Sequence, residues 1–489
     1  MVGQKPHFLL LLIPFLYKKT SSFFKIILFE INTKRGMMSI DNIKLKLLGI
    51  EDETVIIDDW LEDTEGNTLI VSLSTKKENQ ICPECGSTHC NVHDYKIKEI
   101  IHSVLTFKKC IIIYKKRRYR CKDCNSVFFE PNSFNFGYNR ISDVTLQCIL
   151  KDLKTTVSYK DIAERYHVTS QTILNYMDKY IDPKRRELPE ILCLDEFKNL
   201  SFGKGKYACL LLNYQTGEIV DVLPNRRLDY LQYYFNHISY DERKKVKFVV
   251  SDMYEGYKHL AESTFPNSTL VIDAFHYIRY VSNAFNKVRR RIQSLFKPSD
   301  IQYKKLKKYW KLLSKDSFKL KEYSGKWSFF GNEILSSFDV IQDIKNIHPD
   351  IKIAYLQKEE FFSSYRKINF DKAQSYLSSL INSFENTNLP EFIELANTFK
   401  NWLPYIRNSF NKDEYGKRMS NGIIEGSNNK IKVIKRVSYG YSDFYHLRNR
   451  IMYVFNDNEK PLPIPKKIKI IQQEKKLFYK PRKPYKKRK

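Results

Sequence analysis

Two pairs of cysteines constrain the N-terminal part of this chain more than any other feature. Both have the spacing Cys-x-x-Cys, with Cys82 and Cys85 in the first pair and Cys121 and Cys124 in the second. Two such turns can present four thiolates in a tetrahedron, the ligand set of structural Zn²⁺ sites. Residues 105–119, which lie between the pairs, have the β-like character of a ribbon hairpin. We therefore predict one structural zinc ion; the alternative is two unrelated pairs of free thiols.

The composition favours a nucleic-acid partner and a reducing compartment. The chain has 489 residues, which predicts two to four domains, and its formal net charge is +29. So much positive charge points to a polyanion, with nucleic acid ahead of an anionic membrane surface. Nine cysteines are few and odd in number for such a length, which argues against a secreted disulfide framework. We predict a cytoplasmic protein.

The N-terminal end does not look like a targeting segment. Residues 8–17 form an apolar run, but it is too short to span a bilayer and no Ala-x-Ala-type cleavage site follows it. A second possible start lies at Met37 or Met38. We therefore interpret residues 1–37 as an extension outside the domains.

The periodicity of apolar residues changes several times along the rest of the chain. Strand-like runs give way to a helical period, then to a mixture of strands and helices, and then to a long helical stretch. The last residues are a basic tail interrupted by prolines. We predict a multidomain α/β protein whose segments are 38–137 (β-rich zinc ribbon), 138–187 (trihelical), 188–276 (first part of a mixed-sheet core), 277–420 (all-helical insertion), 421–456 (last part of the core) and 457–489 (basic tail).

Residues 158–180 have the pattern of a helix, a tight turn and a second helix. Ser158 and Ser170 suit the two N-caps, and residues 143–153 add a preceding helix. This arrangement is typical of a helix-turn-helix that places its second helix in the major groove, and the alternative is a plain helical hairpin. The outward-facing residues of the second helix that could read bases or phosphates are Gln171, Thr172, Asn175 and Lys179.

A basic run at residues 115–120 leads into the second cysteine pair. It includes Arg117 and Arg118, which we expect to contact DNA phosphates. A merely solvated face is the alternative for this run.

Acidic residues follow several apolar strand-like runs in the mixed α/β region. Asp195 ends one run, Asp252 ends another, and Asp273 ends a third. A distant acid, Glu425, lies at a predicted helix start rich in polar residues. Carboxylates gathered from strand ends and a helix suit two Mg²⁺ ions, since hard cations prefer oxygen ligands. Acids at strand ends are common, so this spacing alone does not establish a site.

Six motifs in chain order resemble the DDE transposases of the ISL-three insertion-sequence family. The resemblance covers about residues 40–456, and its last two motifs are the most specific. The motifs are the zinc knuckles, the helix-turn-helix and the strings CLDEF, VVSDMYEGY, VIDAFHY and SNGIIEGSNNKIKVIKRVSYGYSDF.

The resemblance implies an RNase H-like core whose catalytic triad is Asp195, Asp252 and Glu425, holding two Mg²⁺ or Mn²⁺ ions. It also implies that residues 277–420 are the helical insertion of that core. Four further residues match the family pattern without a known role and are expected to support the site: Asp273, His276, Asn421 and Asn428.

Such an enzyme would bind the terminal inverted repeats of its element through the zinc ribbon and helix-turn-helix, and would cut and rejoin DNA by phosphoryl transfer. We expect double-stranded DNA as its partner, a homodimer or larger assembly when two DNA ends are synapsed, a bacterial nucleoid location and no membrane. Lys432 and Arg436 follow Glu425 and are expected to contact phosphates, or else to be solvated helix residues.

Two alternatives from other classes remain open. A zinc-ribbon and helix-turn-helix regulator derived from a transposase would bind DNA through the same modules around a decayed core. A different RNase H-like nuclease or resolvase would cut DNA without joining strands. All three acids are intact, which disfavours the regulator.

Overall fold

The computed structural model describes residues 40–102, 108–135, 139–200, 205–320, 323–438, 441 and 443–456. The N-terminal extension and the basic tail predicted above lie outside the described residues. The chain divides into two compact units. Of the described residues, the first unit takes those up to Lys151 and Ile162–Thr169, and the second takes Asp152–Asp161 and those from Ser170 onward.

The first unit is built on a five-stranded sheet. Its elements are α1 (Ile40–Leu47), β1 (Val55–Asp63), β2 (Thr68–Thr75), β3 (Cys90–Ile101), β4 (Lys109–Cys121) and β5 (Val127–Phe129). The strand order is β1-β2-β4-β3, and β5 pairs with β4. Buried and half-buried residues alternate along β2, as a strand with one covered face requires. Its core is formed by buried residues such as Val71, Leu73, Ile112 and Tyr114.

Three helices follow this sheet in the chain. They are α2 (Asp143–Asp152), α3 (Tyr159–Arg165) and α4 (Ser170–Tyr180). Their bounds agree closely with the predicted stretches at 143–153 and 158–180. At the start of α3 the Ser158 hydroxyl accepts a hydrogen bond from the Asp161 backbone N–H at 3.0 Å, which is the expected N-cap contact.

The second unit contains a mixed five-stranded sheet. Its strands are β6 (Ile191–Lys198), β7 (Tyr207–Asn213), β8 (Ile219–Leu223), β9 (Phe248–Ser251) and β10 (Thr269–Ile272), in the order β10-β9-β6-β7-β8. Strands β10, β9 and β6 are parallel, while β7 and β8 are antiparallel to their neighbours. The sequence predicted that β6 ends at Asp195, but the strand continues to Lys198 because its last residues pair with β7.

Helices cover both faces of this sheet. The helices between its strands are α5 (Leu228–Asn236), α6 (Tyr240–Arg243) and α7 (Glu255–Thr264). One face packs against α5 and α7, and the hydrophobic core on this side continues into the helical segment that follows. The other face packs against the two last helices, α15 (Gly422–Val437) and α16 (Phe444–Phe455).

The segment after β10 is mostly helical. Its helices are α8 (Ala274–Gln293), α9 (Ile301–Lys308), α10 (Trp310–Ser314), α11 (Ser337–Lys345), α12 (Pro349–Lys367), α13 (Phe370–Glu385) and α14 (Pro390–Asn408). The prediction of an all-helical segment was wrong in one place, since β11 (Ser324–Lys326) and β12 (Ile334–Ser336) form a short antiparallel hairpin. In the described part of the chain no helix has the length and apolar character to cross a membrane.

Candidate active site and metal centre

The structure brings the four predicted cysteines of the first unit together. Their sulfur atoms all lie within 4.8 Å of one another, with Cys82 Sγ 3.5 Å from Cys124 Sγ and Cys85 Sγ 3.6 Å from Cys121 Sγ. Four thiolates at about 2.3 Å from a central ion would have nearly this spacing in a tetrahedron. Cys82 and Cys121 are buried and the other two are exposed. The cluster therefore suits a structural zinc ion with no open ligand position.

The two cysteine turns have the same backbone construction. Gly86 and Asn125, each directly after its pair, have positive φ angles of 76° and 59°. The Gly86 N–H donates to the Cys82 carbonyl at 2.9 Å, and the Asn125 N–H donates to the Cys121 carbonyl at 3.1 Å. Glycine and asparagine are the residues that adopt this left-handed conformation most readily. The repeated turn explains why four cysteines from distant positions converge.

Strand register in the second unit brings three aspartates to one edge of the sheet. Strand β6 pairs with β9 so that Cys193 lies opposite Val250, which is the last pair of this ladder. Two residues beyond this pair the register leads to Asp195 and Asp252, and the charge of Asp252 acts on the carboxyl group of Asp195. In the pairing of β10 with β9, Ile272 lies opposite Ser251, so the next pair is Asp273 and Asp252. Side chains two residues apart share a face. The three carboxylates are therefore grouped at the carboxyl ends of adjacent parallel strands.

Helix α15 brings a second set of polar side chains to this edge. Asn421 Nδ2 donates to the Leu194 carbonyl at 3.0 Å, and Asn428 Nδ2 donates to Asp195 Oδ2 at 2.7 Å. Glu425 lies in the first turn of the helix between these asparagines and is exposed. Residues four and three positions apart lie on one side of a helix, so the two amides place Glu425 on the side that faces β6.

Burial and mutual repulsion perturb the aspartates. Burial, together with the nearby charge of Asp252, raises the pKa of Asp195 to about 7. Burial also raises the pKa of Asp252 and that of Asp273, and the charge of Glu425 adds to the effect on Asp273. His276 opposes these shifts, and its Nε2 lies 4.0 Å from Asp273 Oδ2. The cluster thus holds more negative charge than its surroundings compensate.

A divalent cation fits this cluster. Asp252 Oδ1 is buried and has no hydrogen-bond donor among the described residues, a state that costs about 1–3 kcal/mol or more for a charged group. Carboxylate oxygens short of positive partners are what Mg²⁺ and Mn²⁺ bind. The three predicted acids do not lie as close together as the cysteines, since the cysteine set is the one group of three or more potential ligands within 4.8 Å in the described part of the chain.

An ion pair beside the aspartates escaped the sequence analysis. Glu196 pairs with Arg226, whose guanidinium lies 4.6 Å from the ring centre of Tyr207 and 4.3 Å from that of Tyr254. The positive charge of Arg226 opposes the rise in the pKa of Asp252. Thirty positions separate the two partners, and no local pattern links them, so only the fold reveals the pair.

The two arginines predicted to contact phosphates are engaged within the first unit. Arg117 is largely buried, forms an ion pair with Glu130 at 3.0 Å and donates to the carbonyls of Thr75 and Lys76. Its guanidinium is therefore engaged by groups of the same module, and its contact with phosphates stays a prediction. Arg118 forms an ion pair with Asp94 and remains partly exposed.

The residues predicted to read DNA on α4 have mixed exposure. Gln171, Asn175 and Lys179 are exposed, and Thr172 is half-buried. Gln171 Nε2 donates to Asn175 Oδ1 at 2.9 Å across one helical turn. These positions leave the prediction of a recognition surface open.

The basic residues predicted on α15 are both exposed. Lys432 Nζ lies 3.4 Å from Asn429 Oδ1, and Arg436 is in the last turn of the helix. Their phosphate contacts stay a prediction.

The sequence of this chain is similar to those of known proteins. The sequence pattern of a family described as transposases matches residues 192–451, and that of the zinc-finger of transposases IS204/IS1001/IS1096/IS1165 matches residues 78–124. The transposase for insertion sequence element IS1001 of Bordetella parapertussis is 21% identical over 412 residues, 82% of this chain and 94% of that protein. An ATP-dependent protease of Lactococcus lactis subsp. lactis is 29% identical over 119 residues, 24% of this chain and 35% of that protein. Because the first pattern spans more than half of the chain, this protein belongs to the ISL-three family of transposases.

Proposed function

We propose that this transposase binds the terminal inverted repeats of an insertion sequence and cuts and rejoins DNA at a two-metal site formed by Asp195, Asp252 and Glu425. The observation that carries the proposal is the parallel pairing of β6 with β9 as far as Cys193 and Val250, which leads two residues later to Asp195 and Asp252. The site lies at the carboxyl ends of parallel strands, where ligand and catalytic sites of open α/β sheets commonly lie. The reaction class is phosphoryl transfer.

The architecture supports an RNase H-like core. Three parallel strands, β10-β9-β6, form one side of the sheet, the antiparallel strands β7 and β8 form the other, and helices cover both faces. We propose that this core comprises residues 188–276 and 421–456 and that residues 277–420 are inserted into it. The helical segment starts at Ala274, almost directly after β10 and three residues before the proposed boundary, which supports an insertion at this point of the chain.

DNA recognition is proposed for residues 38–137 and 138–187, the zinc ribbon and the helical segment. A net charge of +29 favours binding to a polyanion, and the exposed polar residues of α4 are suited to a major groove. Contacts to phosphates make affinity fall steeply with salt concentration.

The residues of the site have separate tasks in the proposed mechanism. Bound Mg²⁺ ions would activate a water or 3′-hydroxyl nucleophile and stabilise the charge on the leaving oxygen. Asp195, Asp252 and Glu425 hold the ions through their carboxylates. Asn428 fixes the orientation of Asp195 by donating a hydrogen bond to it, and Asn421 ties α15 to β6. Arg226 adds positive charge beside Asp252.

The direct test is a cleavage assay with DNA that carries the element's own ends. The wild-type chain should cut it only when Mg²⁺ or Mn²⁺ is present. Asp195→Asn should lower the rate on the order of 10³-fold or more, because the amide keeps the shape but loses the charge that holds the ion. Asp371→Asn, a change at an exposed aspartate of α13, is the matched control and should cut normally. Equal cleavage by the Asp195 variant and wild type would reject the mechanism, and a wild-type chain that binds but never cuts would favour a regulator.

A further inference from the structure

Two asparagines that face β6, one directly before α15 and one within it, have side-chain orientations that their hydrogen-bond partners fix. Asn421 is 4% exposed and Asn428 is 7% exposed. The partners of their amide groups are oxygen acceptors: the Leu194 carbonyl for Asn421, and the Asp195 carboxylate together with the Glu196 carbonyl for Asn428. Because acceptors must face the NH₂ group, the amide oxygen of each asparagine takes no part in these hydrogen bonds.

Each of these amide oxygens is buried without a hydrogen-bond donor among the described residues. Asp252 Oδ1 is in the same state, and Asp252 directly follows β9, the strand that pairs with β6. Buried polar oxygens are normally satisfied, so a group of unpaired acceptors around a negatively charged cluster calls for a positive partner. Amide and carboxylate oxygens together are an ordinary ligand set for a divalent cation.

We propose that the amide oxygen of Asn428 is a further ligand of the divalent cation held by Asp195 and Asp252. The inference rests on the proposed function and deepens it, since it adds a neutral oxygen to the three carboxylates. Asn428 is distinguished from Asn421 by its hydrogen bond to the Asp195 carboxylate itself, so that one amide both orients that carboxylate and borders the ion. Asn421, bonded to a main-chain carbonyl, instead fixes the helix on the strand.

Cation binding by the zinc-loaded, DNA-free chain tests this inference without relying on activity. Bound and free Mn²⁺ would be counted by electron paramagnetic resonance for the wild type and for Asn428→Ala, Asn428→Asp and Asn428→Cys. We expect the alanine variant to bind Mn²⁺ at least about tenfold more weakly. The aspartate variant should bind Mn²⁺ more tightly than the alanine variant because it keeps an oxygen ligand, although it loses the donor to Asp195. The cysteine variant should shift preference from Mn²⁺ towards Cd²⁺, as a thiolate ligand requires.

Two controls keep the outcomes distinct. Asn429→Ala changes the exposed asparagine next to Asn428 on the same helix and should bind Mn²⁺ as the wild type does. Thermal unfolding without Mn²⁺ shows whether each variant is folded, and the comparison of Asn428→Asp with Asn428→Cys holds even if alanine at this position destabilises the helix.

Several results would overturn the inference. If Asn428→Ala binds Mn²⁺ normally while Asp195→Asn does not, Asn428 is not a ligand and the proposed metal site stands. If the cysteine variant gains no preference for Cd²⁺, Asn428 acts only by positioning Asp195. If the wild type and Asp195→Asn bind Mn²⁺ equally, the inference and the proposed metal site fail together.

Discussion

The cysteine cluster of the first unit and the carboxylate cluster of the second are assembled in different ways. The cysteines sit on two matching turns, and their sulfur atoms lie within 4.8 Å of one another. The aspartates are brought together by the register of separate strands, and Glu425 comes from a helix far along the chain. The first site is closed by four ligands, whereas the second leaves oxygens unpaired.

This difference has an energetic meaning. A closed thiolate site stabilises the fold that forms it, because binding free energy and folding free energy are then the same quantity. A cluster of buried carboxylates works against the fold until a cation arrives, as the raised pKa of Asp195 shows. The two units should therefore respond in opposite ways to changes that remove charge or metal.

The largest effect is expected for Cys82→Ser. Loss of one thiolate opens the four-ligand shell, so zinc per chain should fall from about one to near zero and the β3–β4 hairpin should lose its protection from hydrogen exchange. Mass spectrometry for metal content and amide exchange measures both. Cys90→Ser, at a nearby cysteine outside the cluster, should retain zinc. Full zinc content in the Cys82 variant would show that the four cysteines are not one site.

A smaller effect is expected from pH in the second unit. Asp195 has a folded pKa of about 7 against 3.8 when unfolded, so the folded state holds the extra proton and stability is lost as pH rises from about 4 to 7. The full shift corresponds to up to about 4 kcal/mol. Urea unfolding without Mg²⁺, followed by fluorescence of Trp310, Trp327 and Trp402, should show less stability at pH 8 than at pH 5.5. Asp195→Asn should flatten this dependence, and an unchanged slope would contradict the assignment.

The first unit should show the opposite sign. His102 is fully buried beside Ser142, and burial lowers its pKa to about 4 from 6.5. The contribution of His102 to the free energy of unfolding is present above pH 6.5 and is lost as pH falls towards 4. Between pH 7 and pH 5 the loss should be about 2 kcal/mol. Hydrogen exchange in β4, corrected for intrinsic rates, reports it. His102→Gln keeps the thiolates and should remove most of this loss. If this variant loses as much stability at pH 5 as the wild type does, another group causes the loss.

The smallest effect concerns the repeated turn. Gly86→Ala places a Cβ on a residue with φ of 76°, which should cost about 1–2 kcal/mol while zinc is retained. Asn125→Gly, at the matching position of the other turn, should change stability by only a few tenths of a kcal/mol. Urea unfolding of the zinc-loaded chain compares them. Equal effects of the two changes would mean that the turns differ in construction.

The sequence predicted those features that depend on local pattern. Helix α4 (Ser170–Tyr180) begins and ends where the sequence predicted, because its apolar residues repeat at helical spacing over its length. The hairpin β11–β12 was missed because its strands are three residues long and lie in a stretch of otherwise helical character. The β-rich, cysteine-marked start of the chain was predicted correctly for the same local reason.

Contacts between distant residues explain the remaining differences. Arg117 belongs to a basic run that suggests a charged surface. Its ion pair with Glu130, which lies beyond the next turn, leaves most of the Arg117 side chain shielded from solvent. The sequence marked Asp273 as the end of a strand, yet only the pairing of β10 with β9 shows that it stands next to Asp252. Strand order and register are properties of the whole sheet, and local patterns in one sequence do not reveal them.

Anomalous X-ray scattering from crystals grown with Mn²⁺ tests the central claim most directly. The account predicts a manganese peak bounded by the carboxylates of Asp195 and Asp252, with the amide oxygen of Asn428 at its edge, and a separate zinc peak among the four cysteines. It also predicts that Asp252→Asn weakens or removes the manganese peak while the zinc peak keeps its height. A manganese peak remote from Asp195 and Asp252, or one unchanged in the variant, would contradict the proposed site.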